Sequence, residues 1–281
     1  MTNPYILVAT DFSSRADRAI DRALQLGRDT KSPVCFLYAL EPGKKDQPSL
    51  EELDRRMEHC VGYPKGTDQG GVQIEYVYPE GSPPVAIAEA CENSDAELLL
   101  VGPARYNSLS DFFMGTAVDY VLRHTTKPVL IVKKRAREAY GQIVAGTDFS
   151  PDSAHAIIEA ARMFPDAKVH IAHAWHVPFK GFQRDGYVAD ETSDEERKKL
   201  EAFMEHLATR EPRLAEATMG LVRGGAYDSV KHGLTQHPGA LVVLGSHGAT
   251  GFRQATIGSS TSDMLRFLDA DILVVNTKGA S

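Results

Sequence analysis

The strongest constraint on the fold of this 281-residue chain is an internal repeat. Residues 5–13 read YILVATDFS and residues 142–150 read QIVAGTDFS, so each half opens with an apolar run followed by Thr-Asp-Phe-Ser. Later segments of the halves align without a gap, for example Leu98–Gly102 with Leu241–Gly245. A repeat of about 140 residues has the size of a domain and is far longer than a solenoid unit. The chain is therefore predicted to contain two copies of one domain.

Each copy alternates apolar segments typical of buried strands with amphipathic segments typical of helices, in the order β-α-β-α-β-α-β-α-β. In copy two, Ser150 is predicted to cap the first helix, and Ser193 with Glu196 fits a capping box that starts the second. In copy one, Ser49 fits the same box, and Gly27 is predicted to end the first helix. This alternation predicts two tandem α/β domains, each an open five-stranded parallel sheet with helices on both faces.

The domain boundaries follow from the repeat. We place the first domain at residues 1–134, a linker at 135–142 and the second domain at 143–281. The last apolar segment of each copy, Pro128–Val132 and Asp271–Val275, would be an exposed sheet edge if it stood alone. We therefore expect these two strands to pair, so that the copies pack as an intramolecular pseudo-dimer, and a further homodimer is left open.

Charge and cysteine content narrow the class of protein. A net charge of −7 argues against a nucleic-acid or anionic-membrane partner. The basic run at residues 133–137 is predicted to be a solvated linker.

Cys35, Cys60 and Cys91 lack C-x-x-C spacing and are expected to be reduced, packed thiols. Because the N-terminal apolar run is too short for a signal peptide and no segment approaches the length of a membrane span, we expect a cytoplasmic protein.

A glycine pattern in copy two carries the main functional signal. Gly245-Ser-His-Gly248 follows the apolar run 240–244, and Gly258-Ser-Ser comes nine residues later. A buried strand that opens into a glycine-rich loop and a helix start presents backbone N–H groups and the positive helix end to a small volume, which suits a polyphosphate. Thr147-Asp148 should meet this loop at the carboxyl edge of the sheet, where a carboxylate suits a ribose hydroxyl. His247 either contacts phosphate or ribose or faces solvent.

Copy one carries a damaged version of this pattern. Gly102 and Gly115 with Thr116 keep the spacing, but Pro103 lacks an N–H donor, and Arg105 replaces a glycine that would let backbone approach a phosphate. Nucleotide is therefore expected to bind in copy two and not in copy one. Alternatively, Arg105 supplies a charged phosphate contact.

Other patterns in the sequence argue against common enzyme classes. The chain has no G-x-x-x-x-G-K-[ST] P-loop, no G-x-S-x-G elbow and no H-E-x-x-H helix, and no nucleophile–base pair can be assembled from spacing. His170, His173 and His176 lie on a predicted strand, where His173 points to the opposite face from the other two. We therefore predict ordinary sheet histidines and no metal site. The apolar stripe in the helix after Ser193 is predicted to be core and consists of Leu200, Phe203, Met204 and Leu207.

Together the two Thr-Asp-Phe-Ser openings, the Gly-Ser-His-Gly loop and its nine-residue interval to Gly-Ser resemble the universal stress protein (UspA) family over essentially the whole chain. The resemblance implies Rossmann-like domains of the adenine nucleotide alpha hydrolase type, dimerisation through the last strand, and ATP, AMP or ADP as ligand, with magnesium left open. It implies binding residues in copy two, namely Thr147, Asp148, Ala174, Gly245, His247, Gly248, Gly258, Ser259 and Ser260. In copy one it implies a degenerate site at Asp11, Gly102, Arg105, Gly115 and Thr116.

Three functions are compatible with these residues. The first is a nucleotide-binding stress-response regulator whose nucleotide state alters its stability or its choice of an unknown protein partner. The second is a slow ATPase or a nucleotide-dependent transferase. The third is an interaction module that works without nucleotide.

Overall fold

The computed structural model describes residues 4–43, 47–103, 116–175, 187–246 and 257–276. By its internal contacts the chain forms two compact units. Unit 1 comprises Met1–Ala139 with Asp269–Ser281, and unit 2 comprises Tyr140–Leu268. The last strand of the chain thus groups with unit 1, and the repeat boundaries given above remain our proposal.

Strands and helices alternate along the described residues. The strands are β1 (Tyr5–Ala9), β2 (Val34–Leu37), β3 (Asp68–Gln69), β4 (Val72–Val77), β5 (Ala96–Val101), β6 (Val129–Ile131), β7 (Gln142–Thr147), β8 (Lys168–Trp175), β9 (Thr218–Arg223), β10 (Leu241–Gly245) and β11 (Ile272–Val275). The helices are α1 (Ala16–Thr30), α2 (Leu50–Val61), α3 (Pro83–Glu92), α4 (Thr116–His124), α5 (Pro151–Met163), α6 (Tyr187–Arg210), α7 (Ala226–Gln236) and α8 (Ser259–Phe267), with a short 3-10 helix at Pro212–Glu216.

Unit 1 is built on a sheet with the strand order β3-β4-β2-β1-β5-β6-β11. Neighbouring strands are parallel except at the two ends, where β3 and β11 run antiparallel to their partners. The short strand β3 was not predicted, and it pairs with β4 in a hairpin around Gly70-Gly71, both of which have positive φ. The predicted pairing of the two terminal strands is confirmed, because Ile272 lies opposite Ile131 and Val274 opposite Val129.

One helix end in unit 1 was predicted correctly and one was not. Ser49 caps α2 by accepting a hydrogen bond from the backbone N–H of Glu52, as the capping pattern predicted. Gly27 does not end α1, which continues to Thr30. The glycine is needed for packing instead, since a Cβ at position 27 would lie 2.6 Å from the Cγ2 atom of Val34.

A glutamate clamp in unit 1 gives a testable pH dependence. The Glu92 carboxylate accepts hydrogen bonds from the N–H of Thr126 (2.7 Å) and from the hydroxyls of Thr126 (2.9 Å) and Thr125 (3.1 Å). Burial by itself raises the pKa of Glu92, but these hydrogen bonds and the nearby Lys127 charge lower that pKa on balance. A carboxyl with a lowered folded pKa contributes stability above its unfolded pKa, and that stability is lost as pH falls through the folded pKa.

Glu92→Gln should therefore lower the free energy of unfolding by about 1 kcal/mol at pH 7, because a neutral amide accepts these bonds more weakly. The difference between wild type and variant should shrink once the pH falls below the unfolded value of about 4.3. Urea denaturation of both proteins at pH 7 and pH 3 measures this. A difference that is equal at the two pH values would contradict the charged clamp.

Unit 2 has the strand order β10-β7-β8-β9, and all its pairs are parallel. Ser150 caps α5 by accepting from the N–H of Ser153, with Pro151 as the first helical residue, as predicted. The predicted helix start at Ser193 is wrong, because α6 begins at Tyr187 and runs through that position. The residues just before Ser193 include Ala189 and Glu191, which have high helix propensity, so the capping preference of one serine does not interrupt the helix.

The core of each unit lies on the faces of its sheet. Leu200, Phe203 and Leu207 of α6 are buried, as predicted, while Met204 is partly exposed. The three cysteines are free thiols; Cys35 and Cys91 are buried, and Cys60 is only half-buried. Burial raises the pKa of the Cys35 thiol to about 12. Across the described ranges, no helix is both long enough and apolar enough to traverse a bilayer.

The basic run after β6 is exposed at Lys134, Arg135 and Arg137, as expected for a solvated linker. Lys133 departs from that expectation because it is partly buried, and burial lowers its pKa to about 8 although Asp269 and Asp271 oppose the shift. The backbone N–H groups of Lys133 and Lys134 both donate to the Asp271 carboxylate at 2.7 Å. The Asp271 side chain, which directly precedes β11, therefore fixes the start of the basic run.

Candidate functional site

The Thr-Asp-Phe-Ser segment of copy two forms a turn that is held by its own polar side chains. Thr147 Oγ1 accepts from the Phe149 N–H at 3.0 Å, and Asp148 Oδ1 accepts from the N–H and the hydroxyl of Ser150 at 3.1 Å and 2.5 Å. These bonds fix the turn between β7 and α5 and orient the Asp148 side chain, which is exposed at the carboxyl end of β7. The motif therefore presents an oriented carboxylate to solvent.

The phenylalanine of the motif has an unusual backbone conformation. Phe149 has a φ of +61°, and its counterpart Phe12 in copy one has a φ of +58°. A positive φ at a bulky residue is strained by about 1–3 kcal/mol and persists only where the surroundings impose it. Each ring is stacked on an aromatic ring from the second strand of its copy or the residue directly after it, Phe149 on His173 in β8 at 4.0 Å and Phe12 on Tyr38 after β2 at 4.6 Å between centroids. The two copies thus share a strained, stacked turn directly after the aspartate.

Three strand ends meet beside the Asp148 turn. β7 lies between β8 and β10, with Thr147 opposite His173 and Ala145 opposite Val243. Thr147, Ala174 and Gly245 therefore lie at the carboxyl ends of three adjacent parallel strands. Because β8 is on one side of β7 and β10 on the other, this is the point where the strand order reverses, which is the usual ligand position in open α/β sheets.

The N-terminus of α8 is anchored at the same edge. The N–H of Gly258 donates to the Ser246 carbonyl at 3.2 Å, and the Thr261 hydroxyl donates to the Gly245 carbonyl at 3.1 Å. Gly258 is the N-cap residue, and Ser259 and Ser260 are exposed in the first turn. The first N–H groups of a helix have no intrahelical partner, so this end presents donors and the positive helix dipole.

Several predicted site residues cannot be placed. His247 and Gly248 of copy two and Arg105 and Gly115 of copy one lie outside the described residues, and of Thr116 only its position as the first residue of α4 is described.

In copy one, the described site residues have a structural explanation. Asp11 Oδ1 accepts from the Ser13 N–H at 3.0 Å, as in copy two. Gly102 follows β5, and a Cβ there would lie 3.1 Å from the Arg15 carbonyl oxygen, so close packing of the α1 start requires a glycine.

The prediction that His170 and His173 point to opposite faces of their strand is confirmed. His170 contacts Thr218 (Nδ1 to Oγ1, 2.9 Å) and His237, whereas His173 contacts Phe149 and Glu196, so they lie on opposite faces of β8. Burial and the neighbouring His237 and His232 charges lower the pKa of His170. His176 lies outside the described residues. Within those residues, no group of three or more His, Cys, Asp or Glu side chains is arranged to hold a metal ion.

The His173–Glu196 contact was missed by the sequence reasoning, which assigned Glu196 to a helix cap. His173 Nε2 lies 3.4 Å from Glu196 Oε2, and both side chains are largely buried. The two residues are far apart in the chain, and no spacing rule links a strand residue to a helix residue across a loop.

Each half of the chain is similar to one known protein family. A model of the universal stress protein family matches residues 4–133 and again residues 139–276. Universal stress protein Sll1388 of Synechocystis sp. is 26% identical over 148 residues, which are 46% of this chain and 96% of that protein. Universal stress protein MJ0531 of Methanocaldococcus jannaschii is 25% identical over 142 residues, which are 47% of this chain and 84% of that protein.

A whole-chain structural match supports the tandem arrangement. The crystal structure of a universal stress protein from Archaeoglobus fulgidus covers 98% of this chain and 99% of its own, with a TM-score of 0.67 at 19% identity. This likeness shows a shared fold over both copies, and the family model matches each copy separately. The chain belongs to the universal stress protein family, as a tandem pair of its domains.

Proposed function

We propose that unit 2 binds an adenine nucleotide, ATP or AMP, and that the protein acts as a nucleotide-dependent stress-response regulator. The observation that carries the proposal is that the exposed Asp148 carboxylate follows β7 and the N-terminus of α8 is anchored at the end of the neighbouring β10. A carboxylate suits ribose hydroxyls, and a helix N-terminus suits phosphate. The two are therefore placed for different parts of one nucleotide.

The glycine before α8 also favours a ligand at this edge. Gly258 has a φ of −55°, and a Cβ there would meet protein atoms no closer than 3.9 Å. Neither backbone conformation nor packing among the described residues requires a glycine there. A glycine with open space in front of a helix N-terminus lets a phosphate approach the backbone closely. We assign the phosphates to Gly258, Ser259 and Ser260 and the adenine to the backbone near Ala174.

Regulation follows from linkage. A nucleotide that binds only the folded unit stabilises it, by about 2.7 kcal/mol at a free concentration of one hundred times Kd. A change in nucleotide concentration would thereby change the fraction of the protein that is folded. It would also change the surfaces that the protein presents to a partner.

Asp148→Asn tests the site with little effect on the fold. The amide keeps the Oδ1 acceptor for Ser150 and removes only the charge. We expect Kd for ATP to rise at least about tenfold, equivalent to about 1.4 kcal/mol. Asp11→Asn is the matched control, since Asp11 makes the same turn in unit 1, and we expect it to leave the affinity unchanged. Calorimetric titration of both variants, with and without magnesium, measures these values.

The same titration separates the alternatives. We expect one nucleotide per wild-type chain. Two per chain, or equal losses in both variants, would place a working site in copy one as well. No binding at millimolar ATP would favour an interaction module that needs no nucleotide. Mass spectrometry of ATP incubated with stoichiometric protein detects slow hydrolysis by the appearance of ADP.

A further inference from the structure

His173 joins the candidate site to helix α6. Its Nδ1 lies 2.8 Å from the Thr147 carbonyl oxygen, and its Nε2 lies 3.4 Å from Glu196 Oε2. A carbonyl and a carboxylate only accept hydrogen bonds, so each ring nitrogen of His173 faces an acceptor. The His173 and Glu196 side chains are only 10% and 19% exposed, so water competes little for this contact. The two contacts of the ring therefore link the last residue of β7 to α6.

A second contact reaches the same turn from the same helix. The Phe149 ring is stacked on His173 and lies 5.4 Å from the Phe203 ring of α6 between centroids. Phe149 is the strained residue with positive φ that directly follows Asp148. The conformation that orients the aspartate is thus supported by α6 through Glu196 and His173 and directly through Phe203.

Glu196 contacts one partner on each side. Its Oε1 atom pairs with the exposed Lys199 at 2.7 Å, one turn along α6, whereas its Oε2 atom faces the buried His173. An exposed i, i+3 pair contributes little, while a polar contact between largely buried side chains is costly to break from one side. In copy one the residue that stacks on the motif phenylalanine is Tyr38 instead of a histidine. The histidine–glutamate link to a helix is thus a feature of the turn in copy two.

We propose that His173 and Glu196 are positioning residues for the Asp148 turn, and that their contact couples the docking of α6 to nucleotide binding in unit 2. The second half of this proposal rests on the proposed function, and the first half does not. When Glu196 holds His173 in place, the ring holds the Thr147 carbonyl and the Phe149 ring, and Asp148 lies between them. By linkage, a ligand that requires the ordered turn also stabilises α6 against the sheet.

Glu196→Gln in the full chain tests the proposal, because it removes the charge and keeps the shape. Amide hydrogen exchange without nucleotide should accelerate about tenfold at Phe149 and Ser150 and in α6, which corresponds to about 1.4 kcal/mol of lost local stability. Exchange in β1 and α1 should stay unchanged, because the effect is local. Lys199→Gln is the matched control, since it removes only the exposed partner of the same carboxylate, and we expect wild-type exchange rates.

Nucleotide binding supplies the second readout. ATP should slow exchange in α6 of the wild type, and Glu196→Gln should weaken ATP binding about fivefold, at the lower end of usual coupling energies. His173→Gln should produce the same changes, and the double variant should add little to either single variant. The single variant His173→Gln also serves as the test if the Glu196→Gln protein does not fold.

Each outcome decides one claim. If the wild type binds no ATP, the proposed function fails, and exchange without nucleotide still decides whether the pair positions the turn. If Glu196→Gln exchanges at the wild-type rate at Phe149 and Ser150, the positioning role is overturned. If exchange accelerates there while ATP affinity and its protection of α6 stay at wild-type values, the coupling is overturned.

Discussion

Asp271→Asn should lower the free energy of unfolding of unit 1 by about 3–5 kcal/mol, because it removes a buried negative charge that faces a buried arginine. The Arg22 guanidinium lies 3.4 Å from Asp271 Oδ2, and the two side chains are 5% and 2% exposed. The asparagine oxygen still accepts from the Lys133 and Lys134 N–H groups that contact Oδ1 in the wild type. The loss therefore reports the missing charge, and urea denaturation at pH 7 measures it.

Asp269→Asn is the matched control. Asp269 also pairs with a cation, Lys134, but its side chain is 87% exposed, so we expect a change below about 0.5 kcal/mol. Adding Arg22→Met to Asp271→Asn should recover part of the stability, because the uncompensated buried charge is then removed while the asparagine oxygen still accepts from the Lys133 and Lys134 N–H groups. Equal effects of Asp269→Asn and Asp271→Asn would contradict the assignment of the loss to burial.

Gly27→Val should destabilise unit 1 by about 2–3 kcal/mol through overpacking of the interface between α1 and the sheet. The first added carbon already falls 2.6 Å from Val34 Cγ2 and 3.1 Å from Val72 Cγ1, and both valines are fully buried. Valine is stiff at χ1 and cannot turn away inside a packed sheet face. The helix therefore has to shift.

Gly141→Ala is the control for the glycine substitution, since a Cβ there would meet no atom within 4 Å. We expect a change within about 0.5 kcal/mol for this variant in thermal or urea unfolding. A Gly27→Val protein as stable as the wild type would show that α1 can move away from β2 at little cost.

Local chemistry made part of the fold predictable. Part of the Thr-Asp-Phe-Ser turn is held by bonds between residues two positions apart, as from Phe149 N–H to Thr147 Oγ1, so that part depends on a few consecutive residues. Ser49 and Ser150 cap helices by the same kind of short-range bond. The pairing of β6 with β11 was predictable because two apolar edge strands must be covered.

The failures have a different physical origin. Ser193 has the pattern of a cap, but the helix begins upstream of it at Tyr187, among residues that include good helix formers. Gly27 has the pattern of a helix end, but the contact that requires a glycine comes from Val34 on the next strand. In both cases a local signal was compatible with two structures, and at Gly27 a contact from a distant residue accounts for the glycine.

The sequence by itself determined the duplication and the alternation of strands and helices, because both follow from a repeated pattern. It also determined where the two aspartate motifs and the glycine motif lie relative to the strands, because each motif directly follows an apolar run. Only the tertiary structure decided which polar and charged side chains meet. Arg22 contacts Asp271 and His173 contacts Glu196 because strands and helices distant in the chain are packed together. A buried polar or charged group requires a partner, but the identity of that partner depends on which elements the fold places side by side.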